Sequence, residues 1–347
     1  MFQKRMIVMA STLLLLVAAC GGSSPQPTAS QAPVEPLTLA TTPIADFSPA
    51  YIAQAAGLFK REGVTVNFNN NGVGANALPL LVSGQVDLID LPPPTAMLGA
   101  KQGVDIKVIY EVEANTGAAL ISSPKIPTIA ALQALPSCRL ATVQAGTLVY
   151  GLAKQFISSL GLKCDIVVAA NVNVVGAGVA SGSYDAGVIT YSTAYATAAG
   201  SKTLNILIGP QEFQSRFDHT GEFPQAVYYG LATNLAAKKE SIVRFIRAIN
   251  LAMAMLHKET PAQLAALLHT DPAWSSIPEA TIQQSMTLTI PYLGVGSKPG
   301  FISVSAWQTG LQHYVQWGVP AFNPNDPVNS YKSRVDMSYY NQAVKSA

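Results

Sequence analysis

From residue 37 onward, short apolar runs alternate with amphipathic stretches, and this alternation predicts an α/β protein. Segments 37–40, 64–68, 86–90, 106–110 and 118–121 read as strands. Between them, 51–62 places Ile52, Ala55, Ala56 and Phe59 on one helical face, and 75–82 reads as a helix stopped by Gly84. A similar set begins near Cys138, with strand 140–143, helix 148–160, strand 166–169, a short helix around Gly178 and strand 186–189. A returning strand covers 225–232, after which the chain is helical. Ile242, Phe245, Ile246, Ile249 and Met253 share one face of a long helix, and 261–269 continues the helical run. Ser276-Ile277-Pro278-Glu279 reads as a capping box, and a helix over 304–317 carries Trp307, Leu311 and Tyr314 on one side.

The two sets share a phrase. Ser83-Gly84-Gln85-Val86-Asp87 recurs as Ser181-Gly182-Ser183-Tyr184-Asp185. In each, glycine ends a helix in the left-handed region and a polar turn launches a buried strand. Its recurrence at the same point of two strand–helix–strand runs predicts duplicated lobes.

The N-terminus has a different pattern. Lys4 and Arg5 precede an apolar run, 6–17, followed by Ala18, Ala19 and Cys20. This run falls short of the roughly 20 apolar residues of a membrane span and reads as an export signal. The ending resembles a bacterial lipobox, which implies acylation of Cys20; a plain signal cut after Ala19 is the alternative. Residues 21–36 are rich in Ser, Pro, Gln, Ala and Thr and read as a flexible tether. The expected location is extracytoplasmic, lipid-anchored to the bacterial cell membrane.

Composition narrows the function classes. The chain is 49% hydrophobic and 12% charged, with a formal net charge of +2 that Lys4 and Arg5 account for. No charge run marks a nucleic-acid or lipid surface, so membrane contact is expected through the anchor alone. Cys138 and Cys164 each sit one residue ahead of an expected strand. If these strands are parallel neighbours, their entry points lie about 5 Å apart, within disulfide reach; two free thiols is the other reading.

Phe47-Ser48-Pro49-Ala50-Tyr51-Ile52-Ala53, Gly57-Leu58-Phe59-Lys60-Arg61-Glu62-Gly63-Val64 and Ser83-Gly84-Gln85-Val86-Asp87 resemble the substrate-binding proteins of bacterial ABC importers. The similar branch handles nitrate, sulfonates, taurine and thiamine-pyrimidine precursors. The resemblance covers roughly 37–257 and implies a type II periplasmic-binding-protein fold, two α/β lobes joined by two crossing segments. Mapped onto this chain, lobe one is 37–118 plus 230–347 and lobe two is 119–229, with crossings near 118–120 and 227–230. It further implies a monomer that takes a small-molecule ligand and delivers it to permease and ATPase subunits, with no cofactor.

Ligands in open α/β sheets bind beyond the carboxyl ends of the strands, which directs attention to the strand-to-helix loops. The first loop offers Thr42, Asp46, Phe47 and Ser48 as a hydrogen-bonding and stacking wall. Asn71, Gly74 and Asn76, and then Gly146 and Thr147, open helices whose N–H groups can receive a polar or anionic group; plain turn chemistry is the alternative. Leu91-Pro92-Pro93-Pro94-Thr95 is expected to stiffen a loop that places Thr95. Thr190 and Tyr191 are the counterpart in the second set, Tyr191 serving as an aromatic clamp or as core. Asn115 and Glu113 lie near the first crossing and Tyr228 near the second.

Enzymatic chemistry lacks a motif. His219, His257, His269 and His313 have no metal-ligand spacing, and there is neither a Gly-x-Ser-x-Gly elbow nor a Cys-x-x-Cys. The expectation is capture of a small polar or heteroaromatic nutrient of the pyrimidine or vitamin-precursor type. Sulfonate, taurine or nitrate binding, and a secreted enzyme acting on a pyrimidine-like compound, are the rivals.

Overall fold

The computed structural model describes residues 34–70, 77–115, 117–201, 203–217, 223–296, 298–317, 323 and 325–345. The expected signal, Cys20 and the tether up to residue 33 lie outside the described residues. The last two tether residues are held to the body: the Glu35 carbonyl accepts from Ser241 Oγ (2.7 Å) and the Pro36 carbonyl from Lys238 Nζ (3.0 Å).

The strands, in chain order, are β1 (Leu37–Ala40), β2 (Val66–Asn69), β3 (Leu88–Leu91), β4 (Ile106–Ala114), β5 (Ala118–Ser122), β6 (Cys138–Thr142), β7 (Cys164–Val168), β8 (Ala186–Thr190), β9 (Asn205–Ile208) and β10 (Pro224–Leu231). They form two sheets, β2-β1-β3-β10-β4 and β7-β6-β8-β5-β9. Each sheet has three parallel strands at one side, and the fourth strand runs antiparallel to the third. In each case the antiparallel strand is the one that has come over from the other half of the chain.

The repeated phrase explains part of this likeness. Gly84 and Gly182 both adopt positive φ, +73° and +77°, at the helix stop. Asp87 Oδ2 then accepts from the Thr38 N–H of β1 (2.9 Å), and Asp185 Oδ2 from the Arg139 N–H of β6 (2.8 Å). One sequence phrase thus fastens the start of β3 to β1 and the start of β8 to β6. Lys238 adds an ion pair to Asp87 (2.9 Å).

The helix Lys239–Lys258 buries Ile242, Phe245, Ile246, Ile249 and Met253, the face its periodicity predicts. Phe245 stacks on Phe59 (5.5 Å between centroids) and meets Tyr228 edge-on (5.0 Å), so the helix covers the first sheet. In the second half, Cys138 and Cys164 face each other in register on β6 and β7 and are bonded.

Several expected elements differ. The helix over 51–62 is two helices, Ser48–Ala55 and Leu58–Arg61, separated where Gly57 adopts φ +68°. Pro49 fits the first turn, because a proline there removes an N–H that has no intrahelical partner. The same rule turns the expected Pro92–Pro94 loop into the start of the helix Pro93–Lys101. The helix Glu279–Thr289 starts at Pro278 without a side-chain cap, whereas the capping box belongs to Thr260 and Gln263. Finally, β10 lies wholly in the first sheet and β5 in the second. The chain therefore crosses from the first sheet to the second between Ala114 and Ala118 and returns between Ile208 and Pro224.

Candidate functional site

A cavity of 440 Å³ lies between the sheets. Its walls follow the parallel strands outward. Thr42, Pro43, Ile44, Asp46 and Phe47 come after β1, Asn70 after β2, and Leu91, Pro92 and Thr95 from the end of β3 and the helix it feeds. From the other half, Val143, Thr147, Leu148 and Val149 follow β6, Asn171, Val172 and Asn173 follow β7, and Thr190 closes β8. This is the carboxyl-end location that open α/β sheets favour, and the volume is that of a small-ligand pocket.

The first half brings acceptors. Asp46 lines the cavity and is 2% exposed, Asp90 and Glu113 are fully buried without lining it, and no basic residue is among the described lining residues. Burial pushes each carboxyl above the usual carboxylate range. Asp46 adds repulsion at both Asp90 and Glu113, and Asp90 adds more at Glu113. The Tyr228 hydroxyl beside Asp90, and the Ser192 and Thr190 hydroxyls beside Asp46, oppose the rise. Ser192 Oγ donates to Asp46 Oδ2, a buried bond that joins the two halves. Gly117, in the first crossing, runs close to two of these groups. A Cβ there would stand 3.2 Å from Glu113 Oε1 and 3.8 Å from Asp46 Oδ1.

The second half brings donors. Thr147 caps the helix Leu148–Leu160 by accepting from the Tyr150 N–H (3.3 Å), and Asn171 caps Val172–Ala180 by accepting from the Val174 N–H (3.0 Å). First-turn N–H groups have no intrahelical partner, and the first turns 148–149 and 172–173 line the cavity. Two helix N-termini with their positive dipole ends therefore line the same cavity as Asp46.

Of the residues singled out from the sequence, Thr42, Asp46, Phe47, Thr95, Thr147 and Thr190 line the cavity. Asn71, Gly74 and Asn76 lie outside the described residues. Ser48 is fully buried at a helix start, and Gly146, at φ +88°, turns the chain against Leu98. Asn115, at φ +63°, donates its N–H to the Phe223 carbonyl (2.9 Å), pairing the two crossings rather than lining the cavity. Tyr191 begins a helix, donates its N–H to the Gly117 carbonyl and packs beside Gly209; it does not line the cavity. Tyr228 is core, wedged between Tyr110 and Phe245.

Sequence reasoning missed Ile44, Asn70, Asn171, Asn173 and Gln225. Asn171 carried a usable signal, an Asn directly before an apolar helical run. Gln225 escapes the carboxyl-end rule because it starts an antiparallel strand, whose amino end shares an edge with the parallel carboxyl ends. It is 4% exposed, and its Oε1 has no hydrogen-bond partner.

Comparison with solved structures places the chain among periplasmic binding proteins by fold. The ligand-binding component of an ABC-type import system from Staphylococcus aureus, with zinc bound, superimposes with a TM-score of 0.69 at 13% identity, covering 89% of this chain and 99% of that one. The alkanesulfonate-binding protein SsuA from Xanthomonas axonopodis pv. citri, bound to MOPS, gives 0.64 at 15%, covering 83% and 95%. The periplasmic nitrate-binding protein NrtA from Synechocystis PCC 6803 gives 0.69 at 11%, covering 90% and 89%. No curated protein matches the chain by sequence. A family model described as "NMT1/THI5 like" matches residues 44–263, more than half of the chain, and the chain accordingly belongs to the NMT1/THI5-like family.

Proposed function

We propose that this chain is the solute-binding lipoprotein of an ABC importer, anchored outside the cell membrane through Cys20. In this reading it works as a monomer and captures a small, uncharged heteroaromatic nutrient of the pyrimidine type. The two lobes close about the two segments that join the sheets, and the loaded protein delivers its ligand to permease and ATPase subunits without changing it. The observation that carries the reading is the cavity's polarity. Acceptors stand on one wall, helix N-termini on the other, and no Lys, Arg or His is among the described lining residues. An amino- and oxo- or aza-substituted ring offers N–H donors to Asp46 and Gln225 and acceptors to the two helix starts. Its faces meet the apolar side chains Ile44, Leu91, Val149 and Val172.

A simple anion fits this cavity less well, since no Lys, Arg or His among the described lining residues balances its charge and it brings no donor to Gln225 Oε1. The paired helix N-termini do favour one second reading, a zwitterionic aminosulfonate such as taurine, with its ammonium group toward Asp46. A thermal-shift screen with pyrimidines, taurine, methanesulfonate and nitrate separates these. A ligand at a hundredfold excess over Kd stabilises by about 2.7 kcal/mol, enough to move Tm by several degrees. A pyrimidine is expected to do so, while methanesulfonate and nitrate leave Tm unchanged. Stabilisation by nitrate or methanesulfonate overturns the heteroaromatic reading, and turnover of a bound pyrimidine overturns the transport reading.

A further inference from the structure

A second cavity of 430 Å³ lies against the first and shares Pro43, Ile44, Asn173 and Ala273 with it. Two helices supply much of its wall. Ser192, Thr193 and Thr197 come from Tyr191–Ser201, and Thr281 and Ser285 from Glu279–Thr289. No charged side chain lines it among the described residues. The two chambers differ in chemistry: the first pairs apolar walls with a carboxyl, and the second sets the short hydroxyls of Ser276, Thr281 and Ser285 among apolar side chains such as Trp274, Ile277 and Ile282. The Asp46–Ser192 hydrogen bond stands at their boundary, since Asp46 lines the first and Ser192 the second.

We infer that the two cavities hold one two-part ligand, a heteroaromatic ring in the first and an uncharged hydroxylated chain or sugar in the second. The inference rests on the heteroaromatic reading above. Hydroxyl side chains both donate and accept, so they match alcohol groups at each step along a tail. A charged tail would lose its hydration with no counter-ion to meet it. Ser192, Thr193 and Thr197 bond within the protein, so an aliphatic tail would cover the hydroxyls of Ser276, Thr281 and Ser285 without replacing their hydrogen bonds with water. The junction at Ile44 and Asn173 is where the ring's substituent would pass.

The test uses the full-length chain in detergent and titration calorimetry with matched probes, cytosine against cytidine and lumichrome against riboflavin. In the pair whose ring fits, the hydroxylated member is expected to bind at least tenfold more tightly, and cytidine monophosphate more weakly than cytidine. Ser285→Leu, which fills the second cavity, is expected to erase that advantage and leave the bare ring's affinity unchanged. Thr281→Met, at a half-buried position, repeats the measurement should Ser285→Leu reduce the folded yield. Equal affinity within a binding pair overturns the inference alone, as does an equal loss for both members in the variant. Failure of every ring to bind overturns the heteroaromatic reading itself.

Discussion

The two halves of this molecule share one strand order and use it with opposite chemistry. The first packs large aromatics, among them Tyr51, Tyr110, Tyr228, Tyr229 and Phe245, and buries the carboxyls Asp46, Asp90 and Glu113, of which Asp46 lines the cavity. A core cluster of the second contains Ala119, Ile121, Ala141, Val143, Ala169, Val175, Val179, Ile189 and Ala194, with no aromatic ring among these buried members. Close approach replaces bulk there: a Cβ on Gly187 would come within 2.7 Å of Val175 Cγ1. The difference shows that strand order is set by turn and strand chemistry common to both halves, while the polarity each offers a ligand depends on a few residues at the sheet edge.

The comparison breaks most visibly in the cores. Phe245→Ala is expected to cost about 3–5 kcal/mol, whereas Ile189→Val in the second half should cost roughly 0.5–1.5 kcal/mol; denaturant unfolding measures both. Next is the disulfide, which only the second half carries. Replacing Cys138 and Cys164 by serine should remove roughly 2–4 kcal/mol, and reduction of the native protein by a thiol reductant should add two hydrogen atoms to the intact mass.

The acidic wall sets a pH effect confined to the first half. Folded-state pKa values of Asp46, Asp90 and Glu113 lie above the unfolded values near 4, so the folded chain binds more protons in that interval. Stability from these groups is therefore greatest below the unfolded pKa and declines as pH rises through the folded values. Glu113→Gln is expected to flatten that decline, seen as a Tm gain over wild type that grows between pH 4.5 and 8.5. A constant Tm difference across that range contradicts this account. The smallest effect belongs to the donor wall. Thr147→Ala and Asn171→Ala should each cost about 1 kcal/mol through the lost cap, with a further loss of ligand affinity if the first turns hold the ligand.

Much of the architecture was legible in the residue pattern. Leu37–Ala40, Leu148–Leu160 and Pro261–His269 have the predicted bounds, because apolar periodicity and clear Gly, Thr and Pro signals coincide there. Part of the cavity wall was also legible, through Thr42, Asp46, Phe47, Thr95, Thr147 and Thr190 at or after the ends of β1, β3, β6 and β8. Tyr191 and Tyr228 misled because an aromatic near a cleft and an aromatic in a core carry the same local signal. Gln225 and the second chamber had no local signal at all.

Short-range chemistry was thus enough for strands, helix stops and the twin phrases at Gly84 and Gly182, since each depends on neighbours within a few positions. Which wall holds carboxyls, which holds helix starts, and that Asp46 meets Ser192 were decided only by the tertiary structure. The Asp46–Ser192 contact joins residues 146 positions apart, and burial, which a linear pattern does not carry, is what pushes the carboxyls upward.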